Sequence, residues 1–215
     1  MSRVLVLAWV VTGALAVVDW WSVLRDRRAV ERWAKPAVMV GLGAVALASG
    51  AADSPTGWWV LAALALGLVG DVLLLGDSEA RFLGGLGAFL LGHLAWVAAF
   101  VAHGLGSPAL AWVGGAVVVV ALVAGRRIVP GAHRVGGVSL SGPVVLYMAV
   151  ITVMALTGWA TGVPLVGLGA GLFVVSDTVL GLGRFDREHP WTRPVVMVTY
   201  HVAQACLVAG LLGGA

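Results

Sequence analysis

Long apolar runs broken by brief charged turns make up nearly the whole chain. Roughly 17 to 25 apolar residues cross a bilayer, and on that measure the pattern predicts eight spans, at residues 4–24, 36–52, 57–75, 82–102, 108–124, 138–158, 164–182 and 194–212. The connections leave no room for a soluble domain, so residues 1–215 are expected to form a single transmembrane helical domain, an all-α bundle of eight helices. The first run follows Arg3 and has the early charge and apolar core of a signal peptide. No small-residue cleavage site leads from it into a soluble chain, so it is read as a retained first helix.

The basic residues test this count independently. The turns after spans one, three, five and seven hold Arg25, Arg27, Arg28, Arg32 and Lys35, then Arg81, then Arg126, Arg127 and Arg134, then Arg184, Arg187 and Arg193; the other side has Arg3 alone. A bias this one-sided predicts both termini outside and the four basic turns in the cytoplasm of a multi-pass protein, as in a bacterial plasma membrane. Trp20, Trp21, Trp33 and Trp191 fall near the inner interface and Trp58, Trp59, Trp112 and Trp159 near the outer one, as aromatic belts do. Composition agrees: 60% of residues are hydrophobic and 11% charged, with a mean hydropathy of +1.02, which excludes a soluble domain. The small cationic excess lies in the turns, so it speaks for topology and against nucleic acid as a partner. Cys206 stands alone, which rules out a disulfide or a cysteine-based metal motif within the chain. The 31 glycines suit close helix packing, within or between chains alike, and leave the oligomeric state open.

Ionisable groups inside the apolar runs then need a reason. A carboxylate near mid-membrane costs roughly 2.5 to 3.5 kcal/mol on insertion scales, so it is expected to face a protein interior or a wet cavity. Asp71 and Asp177 are two such acids, four and five residues before the ends of spans three and seven. At 1.5 Å per residue both sit roughly 6 to 8 Å above the inner helix ends. His93 lies nearer the midplane, and Tyr147, Tyr200, His201 and Gln204 occupy the inner to middle zone. Tyr200 and Gln204 share one helix face, with His201 roughly 100° away. A Gly-Asp or Ser-Asp pair, a charged turn and a polar ring residue describe both 70–93, whose turn is 77–81, and 176–200. This echo suggests two parallel halves of four spans each.

Simpler readings exist for each residue. The two acids could be protonated helix-packing groups, His93 a hydrogen-bonded core histidine, and Asp19 an interfacial ion pair with Arg25 and its neighbours. Lys35 directly precedes Pro36 at an expected inner helix start, where it serves as a membrane anchor or a contact to lipid phosphate. His103, His133 and His189 lie in turns. There is no HExxH, no phosphate-binding glycine loop and no GxSxG elbow, which makes Ser141 and Ser176 poor nucleophiles.

Taken in order, Gly70-Asp71, Phe82-xx-Gly85-xxx-Phe89-xxx-His93, Leu146-Tyr147 with Met154, Phe173-xx-Ser176-Asp177 and Tyr200-xxx-Gln204 resemble the YhhN family, whose members include lysoplasmalogenases. Arg32-xx-Lys35-Pro36 resembles it too, whereas the first span matches nothing. The resemblance implies an eight-helix membrane hydrolase that cleaves the vinyl ether of lysoplasmalogens to a fatty aldehyde and glycerophosphocholine or glycerophosphoethanolamine. It maps the family's paired aspartates onto Asp71 and Asp177 as catalytic residues. Supporting or substrate-binding roles then fall to His93, Tyr147, Tyr200, Gln204, Ser176 and Lys35, with no cofactor and a bilayer lysophospholipid as the partner. The chemistry suits two acids: one protonates the vinyl β-carbon while an ionised partner handles the oxocarbenium ion and water. Two alternatives compete. A metal-dependent hydrolase would use His93, His201 and the aspartates as ligands. A proton-coupled transporter or lipid-binding protein would place its acids at the repeat interface, although Pro143 interrupts span six with no matching proline expected inside span two.

Overall fold

Serine side chains open three of the helices. Ser2, Ser54 and Ser78 accept hydrogen bonds from the backbone N–H groups of Leu5, Gly57 and Arg81, donors that a helix start would otherwise leave unpaired. The computed structural model describes residues 2–76 and 78–213, so Asp77 of the charged turn lies outside the described residues. Among those residues the regular structure is all α: α1 (Arg3–Leu24), α2 (Arg28–Ala48), α3 (Pro55–Leu74), α4 (Glu79–His103), α5 (Ala111–Ala160), α6 (Pro164–Phe185) and α7 (Thr192–Leu212), with two short 3-10 turns. Six of the seven helices are long and apolar enough to cross a membrane. The exception is α2, whose first half carries Arg28, Glu31, Arg32 and Lys35.

Two stretches depart most from the prediction, each for a physical reason. The stretch between the fifth and sixth predicted spans is helical rather than a loop, and joins them into the 50-residue α5. Gly125, Ile128, Gly131 and Ala132 recur at helical spacing on its buried side, the last three packing with Phe185 and Gly125 against Met148, so the stretch has an apolar face to pack while its arginines point outward. The true break comes later, at Gly136 and Gly137. Gly137 adopts φ 60°, ψ −149°, a backbone region essentially reserved for glycine.

In α2 the helix starts at Arg28, not at Pro36, and ends at Ala48, where Gly50 in the left-handed region donates its N–H to the Leu47 carbonyl. Pro36 therefore lies inside α2, contrary to the expectation that the second span has no internal proline. Lys35 likewise lies within the helix and is buried.

Neighbouring helices pair in order: α1 on α2, α3 along α4, α5 on α6 and α6 along α7. α7 also touches α1, α2 and α3, which puts it at the centre. Close approach between α6 and α7 depends on Gly169, where an added methyl would come within 2.9 Å of the Ala203 carbonyl oxygen. The core around these contacts is filled by Trp96, Phe100, Phe173, Met39, Leu42, Met154 and Leu207.

Candidate active site

A cavity of about 220 Å3 lies where α2 to α7 converge. Most of its wall is apolar, including Leu86, Ile128, Val144, Met148 and Ile151, and its polar wall holds both Asp71 and Asp177. The two acids thus come from α3 and α6 to one space, although α6 runs on to Phe185, beyond the end expected at Leu182.

Their surroundings differ. Asp71 is fully buried, its Oδ1 3.0 Å from the Lys35 ammonium and its Oδ2 accepting a hydrogen bond of 2.8 Å from the Tyr200 hydroxyl. Gln204, one turn along α7, donates to the same hydroxyl at 3.4 Å, as their shared face requires. Asp177 keeps 15% side-chain exposure toward the cavity, and its Oδ2 accepts from the Tyr147 hydroxyl at 2.5 Å. His93 approaches the same oxygen through Nε2 at 3.5 Å. The Nδ1–H of that ring is committed to the Phe89 carbonyl at 2.6 Å, so in the neutral ring Nε2 turns a lone pair toward Asp177. Among the described residues no lysine or arginine lies within 4.0 Å of Asp177.

Of the residues named from sequence, Asp71, Asp177, Tyr147, Tyr200, Ser176 and Lys35 line the cavity. His93 and Gln204 stand one layer back and reach it through the groups they contact. Ser176 also donates to the Val196 carbonyl, tying α6 to α7. Lys35 is not the interfacial anchor expected of it, since helix α2 carries it two turns inward to a carboxylate.

Three charged lining residues carry no site role in the sequence reading: Glu31, Arg184 and Arg193. The arginines counted only as topology markers, although Arg193 bridges Glu31 at 2.6 Å and Asp26 at 2.9 Å, and Arg184 lies over the Phe82 ring. The sequence did hold one signal for Glu31: it precedes Lys35 by four residues, on the same helix face.

Asp19 and His201 lie apart from this cavity. Asp19 is fully buried rather than interfacial, and neither carboxyl oxygen has a hydrogen-bond partner among the described residues. The arginines after α1 turn elsewhere; the basic side chain within 4.0 Å of it among the described residues is His201. The His201 ring accepts from the Trp20 indole. His201 does not line the cavity, and among the described residues no three His, Cys, Asp or Glu side chains gather as a metal-ligand set. Because Asp19 makes no hydrogen bond that an amide would lose, Asp19→Asn is expected to leave thermal stability unchanged or raised and turnover intact, as thermal unfolding and an activity assay in detergent would read.

The YhhN family profile matches residues 30–211, most of the chain. This chain belongs to the YhhN family. Two curated relatives, from Mycobacterium bovis and Mycobacterium tuberculosis, are each 30% identical over 178 residues, covering 80% of this chain and 68% of theirs, and both are named lysoplasmalogenase. No solved structure matches the chain significantly. The family match begins after α1, so Asp19 falls outside it, whereas every cavity-lining residue named above lies within it.

Proposed function

We propose that this YhhN protein is a membrane-embedded hydrolase of the lysoplasmalogenase type, cleaving the vinyl ether of a lysophospholipid to a fatty aldehyde and a glycerophospho-alcohol. The observation that carries the reading is the convergence of Asp71 and Asp177, from separate helices, on one mostly apolar cavity. The name of the mycobacterial relatives supports it.

The two environments support a division of labour. Asp177 faces a tyrosine hydroxyl and an imidazole lone pair but no cation, so it serves as the acid that delivers a proton to the vinyl β-carbon. Asp71, balanced by Lys35, is the fixed negative charge that stabilises the oxocarbenium ion formed at the α-carbon. Water then adds to that carbon, its proton returns to Asp177, and the hemiacetal collapses to aldehyde and alcohol. Tyr147 and His93 hold the acid, while Tyr200 and Gln204 hold the carboxylate. Leu86, Ile128, Met148 and Ile151 offer the alkenyl chain an apolar wall.

The membrane frame fits this reading. A straight helix of 50 residues would be about 75 Å long, far more than a hydrocarbon core of about 30 Å. The two arms of α5 on either side of Gly137 therefore act as separate spans. With α2 held in the bundle by the Lys35 to Asp71 pair, eight spans result, with the basic turns on the cytoplasmic side. Parallel halves are supported by reciprocal pairing: Asp71 of the first half meets Tyr200 of the second, and Asp177 of the second meets His93 of the first.

Detergent-purified protein incubated with a panel of choline and ethanolamine lysolipids, vinyl ether and ester alike, is expected to release aldehyde from the vinyl ethers alone, as read by mass spectrometry. Release of fatty acid from the esters with the vinyl ethers untouched would overturn the assignment.

A further inference from the structure

A second cavity, of about 120 Å3, adjoins the first at the end of the bundle where α2 and α7 begin. Arg28, Glu31, Arg32, Leu74, Leu75 and Arg193 line it; Glu31, Leu74 and Arg193 belong to both cavities, so the two share a wall. Its chemistry is the reverse of its neighbour's. Three guanidinium groups face one carboxylate, and that carboxylate is already held by Arg193 at 2.6 Å.

Arg28 and Arg32 remain. They stand four residues apart on one face of α2, where like charges repel. Arg28 reaches a carboxylate only at 3.8 Å, the Asp26 that also binds Arg193, and Arg32 has no carboxylate within 4.0 Å among the described residues. Two guanidinium groups on one helix face, with no carboxylate closer than 3.8 Å among the described residues, line a concave site and suit the charge of a phosphate ester.

Distance along α3 agrees. Leu74 and Leu75 follow Asp71 by three and four residues, a rise of roughly 4.5 to 6 Å. A glycerol unit spans a similar length, and that is what separates the vinyl ether from the phosphate in a lysolipid. Lys35, buried against Asp71, is not free to take the phosphate.

We propose that this basic vestibule binds the phosphate of the substrate's headgroup, with Arg28 and Arg32 as its ligands, and so sets the vinyl ether beside Asp71 and Asp177. The inference rests on the lysolipid reading above for its ligand but not on turnover, because a protein that bound lysophospholipid without cleaving it would use the same site.

The test compares wild type with Arg28→Gln/Arg32→Gln in the full-length, detergent-purified protein. One arm measures kcat/KM for a 1-alkenyl lysophosphoethanolamine against a 1-alkenylglycerol that lacks phosphate. The preference for the phosphorylated lipid is expected to fall by about tenfold or more, the worth of a charge-assisted hydrogen bond. The other arm measures binding of lysophosphatidylethanolamine against monoacylglycerol to Asp177→Asn protein with and without the two arginines, and the same loss of preference is expected.

A preference unchanged in both arms, including equal loss on both lipids, overturns the phosphate site. If the wild type cleaves neither vinyl ether while the binding arm responds, the site stands and the enzymatic reading fails. An effect of the variant that arises only when phosphatidylglycerol is added to the micelles would assign the vestibule to a bilayer lipid and overturn the proposal.

Discussion

Replacing Asp177 by asparagine is expected to lower aldehyde release by about 10³-fold, within the range that general acid catalysis contributes. An amide has no proton to give to the vinyl β-carbon, yet its carbonyl oxygen still accepts the Tyr147 hydroxyl that now bonds Asp177. The side chain is only partly buried and has no cationic partner within 4.0 Å among the described residues, so the change strands no charge. The variant should therefore extract, purify and melt like wild type and bind lysolipid with similar affinity. That combination separates a lost proton donor from a lost fold. Near-normal aldehyde release from a properly folded Asp177→Asn sample would remove the paired-acid mechanism.

Lys35→Met should act in the opposite sense, on stability before chemistry. Lys35 and Asp71 are 6% and 1% exposed at the side chain and 3.0 Å apart, so neither can fall back on solvent. Removing one partner of such a pair leaves an uncompensated buried charge and typically costs about 3 to 5 kcal/mol. The expected result is a clear drop in Tm, or loss of monodisperse protein on extraction.

The double variant Lys35→Met/Asp71→Asn supplies the control. With the carboxylate gone as well, no charge is stranded, and most of the lost stability should return. Activity should not return, because the negative charge proposed to face the oxocarbenium ion is gone with it. A Lys35→Met protein as stable as wild type would mean that this ion pair does not hold α2 in the bundle. Full activity in the double variant would mean that Asp71 is dispensable.

Membrane character, the positions of most helices and the two acids that meet at the cavity were legible in sequence because each leaves a local trace. Apolar runs mark the helices, and an aspartate inside an apolar run stands out by its insertion cost. Periodicity alone placed Tyr200 and Gln204 together, and the structure has them hydrogen-bonded.

What misled was local too. Pro36 looked like a helix start because proline favours that position, but α2 tolerates it one turn past Arg32. The basic stretch after residue 124 looked like a loop, although its apolar face packs on Phe185. Asp19 looked interfacial by proximity in sequence to Arg25, yet the side chain turns inward to α7.

The sequence by itself determined which chemistry is affordable: a helical membrane protein with a few costly polar groups, two of them acids at similar depth. Only the tertiary structure decided which groups meet. The pairing of Lys35 with Asp71, of Tyr147 and His93 with Asp177, and of one apolar cavity with one basic vestibule depends on how each helix is rotated about its axis. That rotation is set by packing partners far away in the chain, such as Gly169 against Ala203, and no local pattern of hydropathy or charge encodes it.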